Sequence, residues 1–314
     1  MGIDLIALEY EAFLKLSAVL PLRLGAFMTE ARGRWMARHD RDWRSLSLSI
    51  QYVRERTLNA FGQLAGLSDK LTALESDLEG NAGRLMAEQV ADRFIHAAFE
   101  EWQAALIQSK RVGELSFFGQ DCHAALPSQA IIATMHVDSP MLGLVQLGRW
   151  GRPLCALSSN VVEDPRVHPS IQRFFSGKYA GMASYWHGGR CMHKETEMAS
   201  FVRASRAGYS LAVFCDAPGQ NQPGKGLALP FLGKTRTLAP VAQRLAERLN
   251  LPVVGMLARR LSYAQYRIEF SAPCFPGGGA SWIAPIYEFW TEKILEDPSA
   301  WWAADLLNSF EVVH

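Results

Sequence analysis

The stretch "SQAIIATMHVDSPMLGLVQLGRWGRPLCAL", residues 128–157, holds the pattern that decides the fold. Ile131–Thr134 is a short apolar run, as a strand buried on both faces should be. It runs into His136. Asp138 followed by Ser139 and Pro140 then reads as a helix start, with a capping side chain and a proline in the first turn. Leu154–Leu157 is a second short apolar run.

Similar runs recur at Met182–Trp186, Leu211–Cys215, Val253–Leu257 and Tyr266–Phe270, with helical segments between them. The clearest helix is Leu238–Leu249. Its Leu238, Val241, Ala242, Leu245 and Leu249 share one face, and Asn250 and Pro252 supply the stop. Residues 1–110 read instead as helical, with Leu5, Leu8 and Ala12, then Val90, Phe94, Ala97, Ala98 and Trp102, at helical spacing. The expectation is an α/β fold: a mixed, mostly parallel sheet sandwiched by helices. A helical N-terminal region (1–110) packs on the α/β body (111–314) as one structural domain.

Composition narrows the function classes. With 314 residues, 49% of them apolar and 20% charged, the chain suits a globular protein with a sizeable core. A net charge of +1 argues against nucleic acid as a partner of the whole chain. Five scattered cysteines without a CxxC pair favour reduced thiols and a cytoplasmic setting. Asp4, Glu9, Glu11 and Lys15 interrupt the apolar N-terminus, which lacks the basic start of a signal peptide. Phe270–Tyr287 is charge-free but carries Pro273, Pro276, Pro285 and a Gly277–Gly279 run, so it is not a spanning helix. Between Arg23 and Arg56, eight arginines stand against four acids. A solvated helix face is the plainer reading of that excess. The alternative is an acidic partner: a carrier protein, or an anionic membrane surface on which the protein sits peripherally at the inner face.

Three constellations carry chemistry. In "VFCDAPGQNQPGKG" (213–226), Gly219, Gly224 and Lys225 match a phosphate-binding loop, but Gly226 replaces the magnesium-binding Ser or Thr. Pro230 in the following "LALPFLGK" prevents the helix that would hold the phosphate, so a Gly/Pro-rich loop is the better reading. In "HGGRCMH" (187–193), His187, Cys191 and His193 fit no common zinc spacing, and no metal is expected. No GxSxG or GxGxxG is present. His136 is the third. A neutral histidine can take the proton of an alcohol or amine attacking an acyl carbon, given a carboxylate to fix its tautomer. Asp138 is the nearest acid in sequence.

The order of features resembles the lysophospholipid acyltransferase superfamily, and within it the branch of the lipid A lauroyl/myristoyl and mannoside acyltransferases. In that branch a strand ends in His, with an acid five residues on. Residues 128–157 resemble that strand, His, helix and strand. "LAVFCDAPGQNQPGKGLALPFLGK" resembles a second element, a strand ending in Asp and a loop leading to a Phe-Gly turn. "TLAPVAQRLAERLNLPVVGMLARR" and "ILEDPSAWWAADLL" resemble the helix and strand after it and the closing helix with its Pro and Trp. The likeness covers residues 110–310, and the helical front more loosely.

Three departures accompany the likeness. Met141 stands where the family carries its acid, so Asp138, or Asp216 or Asp164 from a distance, must serve His136 if the chemistry is kept. The family's arginine near the second strand falls on Asn160 or Asp164, with Arg166 and Arg173 nearby to substitute. The N-terminal membrane anchor of the lipid A enzymes is not evident.

The resemblance implies an acyltransferase drawing on an acyl carrier protein or coenzyme A thioester, with His136 as general base, Asp138 as favoured orienting acid, and no metal or redox cofactor. The acceptor is a hydroxyl or amine, the departures suggesting specialised metabolism. An acyl channel beside His136 would be lined by Met141, Leu142, Phe231 and Leu232, residues that serve equally well as core. Two rival readings are a thioester hydrolase and a catalytically silent protein that binds an acyl chain or carrier protein.

Overall fold

A computed structural model describes residues 8–42, 52–69, 82–217, 226–277 and 279–313. Its helical front comprises α1 (Phe13–Val19), entered through a π-helical turn at Leu8–Ala12, then α2 (Leu22–His39), α3 (Val53–Leu64) and α4 (Ala82–Gln108). Val90, Phe94, Ala98 and Trp102 of α4 are buried at four-residue spacing, one stripe of a helix facing the core. α2 lies tightly against α4 because glycines stand at the crossing. A Cβ on Gly33 would sit 2.6 Å from the Ile95 Cα, a backbone contact that any side chain would force apart.

The body follows as β1 (Ser116–Phe118), α5 (Gln120–Ala124), β2 (Ile131–Thr134), α6 (Pro140–Arg149), β3 (Leu154–Ser158), α7 (Pro169–Ala183), β4 (Cys191–His193), α8 (Met198–Arg206) and β5 (Ser210–Phe214). It continues as β6 (Leu227–Phe231), β7 (Lys234–Leu238), α9 (Val241–Leu249), β8 (Val253–Arg260), β9 (Gln265–Phe270) and α10 (Ala284–Glu296). Seven strands form one sheet in the order β1-β9-β8-β2-β5-β3-β4. All its neighbours run parallel except the antiparallel β8–β9 pair. The fold is α/β, with helices on both faces of a mostly parallel sheet. Strand alternation divides the core accordingly. Ile131 and Ala133 face one cluster with residues of α3, α9 and α10, while Ile132 faces the other with residues of α4 and α6. The front helices therefore share both cores with the body. Among the described residues, no helix is long and apolar enough to cross a membrane.

Three elements differ from the sequence expectation. Met182–Trp186 is not a strand: α7 runs to Ala183 and a turn follows, the run being apolar because Met182 and Trp186 pack inward and the Trp186 indole donates to the Leu144 carbonyl at 3.0 Å. The edge strand is Cys191–His193 instead. Leu238 ends β7, and α9 begins only after Pro240. The closing "DPSAWWAADLL" runs as two short 3₁₀ turns, Pro298–Ala300 and Ala304–Ser309, after α10 has ended at Glu296. As the proline at 230 implies, "LALPFLGK" makes no helix; it is a hairpin whose turn places Leu232 and Gly233 at positive φ.

Candidate active site

Sheet register builds the site. β2 and β5 are parallel neighbours with Thr134 opposite Phe214, so the residues two steps beyond their carboxyl ends, His136 and Asp216, emerge side by side. This is the end of a parallel sheet where ligands bind. The Asp216 carboxylate grips His136 twice: Oδ2 accepts from the His136 backbone N–H at 2.7 Å, and Oδ1 pairs with the ring Nδ1 at 2.9 Å. The Trp301 indole N–H donates to Oδ2 at 3.1 Å.

The Asp216 side chain is only 1% exposed. Burial alone would raise its carboxyl, but its pairing with His136 and the Trp301 donor hold it below the ordinary aspartate value. An ionised carboxylate only accepts, so Nδ1 carries the proton, and in the neutral ring Nε2 is the acceptor. That is the tautomer a general base needs.

Packing holds the ring in place. Phe214 stacks on it with centroids 4.4 Å apart, and Trp302 meets it edge-on, also at 4.4 Å. The Trp302 backbone N–H donates to the His136 carbonyl at 3.1 Å, and the Asp138 backbone N–H donates to the Ala300 carbonyl at 2.8 Å. Val137 and Trp301 form an antiparallel bridge between these contacts. The turn carrying His136 is thus clamped from the far end of the chain.

Asp138, the favoured acid from sequence, does not serve His136. Its φ of +56° turns it away, and its Oδ2 accepts from the Arg260 backbone N–H at 2.7 Å while Oδ1 accepts from Ser139 Oγ at 2.9 Å. It ties the start of α6 to the end of β8. The acid at His136 is Asp216, one of the two distant alternatives. The other, Asp164, chelates the Arg166 guanidinium on the loop after β3, which holds its carboxyl at about 2. Arg166 is engaged there, and Arg173 pairs with Glu11 and donates to Ser170 Oγ at 3.0 Å, so neither arginine points to the dyad.

His136 opens on a cavity of about 440 Å³. This lies within the roughly 300–1,000 Å³ of small-ligand sites. Met141, Leu157, Phe174, Phe175 and Met198 make its apolar wall. Of the expected channel residues, Met141 lines it; Leu142, Phe231 and Leu232 are buried core, with Phe231 packed edge-on against Trp301. Polar groups sit further along the wall. Lys178 pairs with Glu100 at 2.8 Å, both nearly buried, and Glu101 is held by Tyr10 and Arg32. Ser158 Oγ and the Tyr179 hydroxyl are 2.6 Å apart beside them.

The arrangement is a histidine–aspartate pair with no nucleophile (Ser, Thr or Cys) hydrogen-bonded to it among the described residues. The neighbouring Cys215 thiol is pushed up to about 12 by burial and then by the Asp216 charge, so it stays protonated. His187, Cys191 and His193 form no metal cluster; the His187 ring bonds the Gly148 carbonyl at 2.9 Å. Gly219, Gly224 and Lys225 lie outside the described residues.

The sequence reading missed the two tryptophans that hold the dyad and the Lys178–Glu100 pair in the cavity wall. Trp301 and Trp302 carried one signal, an adjacent pair in the closing segment; Lys178 and Glu100, 78 residues apart on different helices, carried none. No protein-family model and no curated protein matches this chain.

Proposed function

We propose that the protein transfers an acyl group from an acyl carrier protein or coenzyme A thioester to a hydroxyl or amine acceptor. The observation that carries this reading is the His136–Asp216 pair on the wall of a largely apolar cavity, with no nucleophilic side chain hydrogen-bonded to the ring among the described residues. The likeness of residues 110–310 to the lysophospholipid acyltransferases supplies the thioester donor.

In the reaction, His136 Nε2 takes the acceptor proton as the acceptor oxygen or nitrogen attacks the thioester carbonyl. The new C–O or C–N bond forms, the C–S bond breaks, and the imidazolium returns its proton to the leaving thiolate. Asp216 stabilises the imidazolium in between, and the buried Trp301 contact keeps that carboxylate ionised and oriented. The apolar wall around Met141 and Phe175 accommodates the acyl chain and excludes water that would compete with the acceptor.

The test follows a panel of acyl carrier proteins and acyl-CoAs by intact mass, with and without a mixed pool of alcohols and amines. Acceptor-dependent thioester loss in the wild type, abolished in His136→Ala, is the expected result. Equal loss without acceptor would make the protein a hydrolase. Thioesters left intact by both proteins, with acyl chains still bound, would overturn the catalytic reading in favour of a binding protein.

A further inference from the structure

Two buried charges in the cavity wall are only partly used by the fold. Lys178 of α7 and Glu100 of α4 are 4% and 6% exposed, and both line the cavity that His136 shares. Taking an ion pair out of water is costly, and an apolar pair of similar volume is often as stable or more so. An ion pair kept in the wall of a cavity therefore points to a use on the cavity side.

Both partners have bonding capacity to spare. Lys178 Nζ donates to Glu100 Oε1 at 2.8 Å, its one hydrogen bond among the described residues, which leaves two of its three N–H groups over. Glu100 Oε2 accepts no hydrogen bond among the described residues. The next residue shows the contrast: Glu101 Oε1 accepts from Tyr10 and its Oε2 from Arg32, so both oxygens are engaged within the protein.

A ligand that meets this pair has to answer both charges. A lone anion drawn to Lys178 would face the Glu100 carboxylate, and a lone cation drawn to Glu100 would face the Lys178 ammonium. A group with an ammonium and a carboxylate on one carbon meets each with its opposite. Its ammonium donates to Glu100 Oε2 and its carboxylate accepts from the free N–H groups of Lys178, both charge-assisted bonds. That group is the head of a free α-amino acid.

The head is held away from the base. Tyr179, next to Lys178, has its hydroxyl 2.6 Å from Ser158 Oγ at the end of β3, and its ring centroid 6.1 Å from that of His193 at the end of β4. β3 stands two strands from β2, across β5. At about 4.8 Å per strand, this end of the cavity lies roughly 10 Å across the sheet from the strand that leads to His136. An amino acid held here by its head would approach His136 with the end of its side chain.

We propose that the Lys178–Glu100 pair binds the zwitterionic head of a free α-amino acid and, resting on the acyl-transfer reading, that the hydroxyl or amine ending its side chain is the acyl acceptor. The side-chain oxygen or nitrogen attacks the thioester carbonyl, the C–S bond breaks, and the acceptor proton passes through His136 to the leaving thiolate. The product is an O- or N-acylated amino acid and a free thiol. The α-ammonium, bonded to Glu100, stays protonated and does not compete as the nucleophile.

The first test needs no acyl donor. The full chain is titrated calorimetrically with L-serine, L-homoserine and L-lysine, each also as its methyl ester and its Nα-acetyl derivative. The wild type should bind at least one free amino acid, and losing either head charge should weaken that binding roughly 30-fold. Lys178→Met combined with Glu100→Leu leaves no stranded charge, with thermal unfolding as its folding control. In this variant the amino acid and its methyl ester should bind equally weakly, a loss of discrimination that a purely structural pair would not produce. A wild type that binds none of the three, or binds them and their derivatives alike, would overturn the proposal, as would a folded double variant that keeps the preference. Acyl transfer to simple alcohols or amines by a protein that binds no amino acid would strike this proposal and leave the acyl-transfer reading standing. Head-selective binding without any thioester loss would keep the amino-acid subsite and strike the acceptor role.

Discussion

The two candidate acids of His136 part most sharply on Asn substitution. In Asp216→Asn the side chain keeps its shape but has only one accepting oxygen. Two fixed donors, the His136 backbone N–H at 2.7 Å and the Trp301 indole at 3.1 Å, converge on the Oδ2 position. They select the amide oxygen there, which puts the amide NH₂ opposite His136 Nδ1. Nδ1 must then accept, and the ring proton moves to Nε2, the atom that has to act as base. Returning to the productive tautomer would face donor with donor, at about 1–3 kcal/mol. The lost ion pair removes roughly 4 kcal/mol of imidazolium stabilisation at an effective dielectric near 20. Together these predict a fall in turnover of about 10⁴-fold, the size seen for the same change in a Ser-His-Asp triad.

Asp138→Asn should retain turnover within a few-fold, because its carboxylate bonds Arg260 N–H and Ser139 Oγ rather than the His136 ring, and should cost about 1–3 kcal/mol of stability instead. Thioester loss by intact mass measures the first effect and thermal unfolding the second. Nitrogen-15 NMR of the His136 ring reads the tautomer without any substrate: Nδ1–H in the wild type, Nε2–H in Asp216→Asn. Folded Asp138→Asn losing turnover as completely as Asp216→Asn, or an unchanged tautomer in Asp216→Asn, would refute the reasoning.

Other perturbations test neighbouring contacts. Trp301→Phe removes one donor from Asp216 and should lower kcat roughly tenfold with KM unchanged, read from steady-state kinetics on the same thioester. Lys178→Met strands the buried Glu100 and should destabilise by about 3–5 kcal/mol in urea unfolding; adding Glu100→Leu should recover most of that loss. Glu11, whose carboxyl is drawn down to about 2 by Arg173 and then Ser170, ties the N-terminal helix to α7. A carboxyl lowered in the folded state stabilises above its ordinary value of 4.5 and loses that stabilisation as pH falls toward 2, so wild type and Glu11→Gln should differ in unfolding midpoint at pH 6 and converge near pH 2.

What was legible in the sequence was whatever local pattern records. Short runs buried on both faces marked β2, β3, β5 and β8, and the amphipathic stripe ending at Asn250 marked α9, because burial dictates composition along the chain. Met182–Trp186 shows the limit: an apolar run of five residues suits a strand or the inward side of a helix end, and the pairing of β4 with β3 is decided elsewhere. His136 was legible as a histidine on the lip of a strand, whereas its acid was not. Asp138 is closest along the chain, yet its left-handed backbone carries its side chain to β8. Asp216 is 80 residues away and becomes a neighbour only through the register of β2 with β5.

That difference bears on what Met141 means. An acid five residues after the histidine would ride on the first turn of α6 and orient the base from the helix. Here Met141 lines the apolar wall, and the acid comes from the sheet and the closing turn. The sheet position adds a main-chain grip that a helix-borne acid does not automatically supply, since Asp216 holds the His136 backbone as well as its ring. The same carboxylate accepts from Trp301, whose neighbour Trp302 donates to the His136 carbonyl and packs on its ring. His136 is therefore coupled to residues 298–302 rather than to α6. A shift of that closing segment would disturb His136 from both its carboxylate and its carbonyl at once, whereas a change of side chain at Met141 alters the cavity wall and leaves the dyad's hydrogen bonds in place.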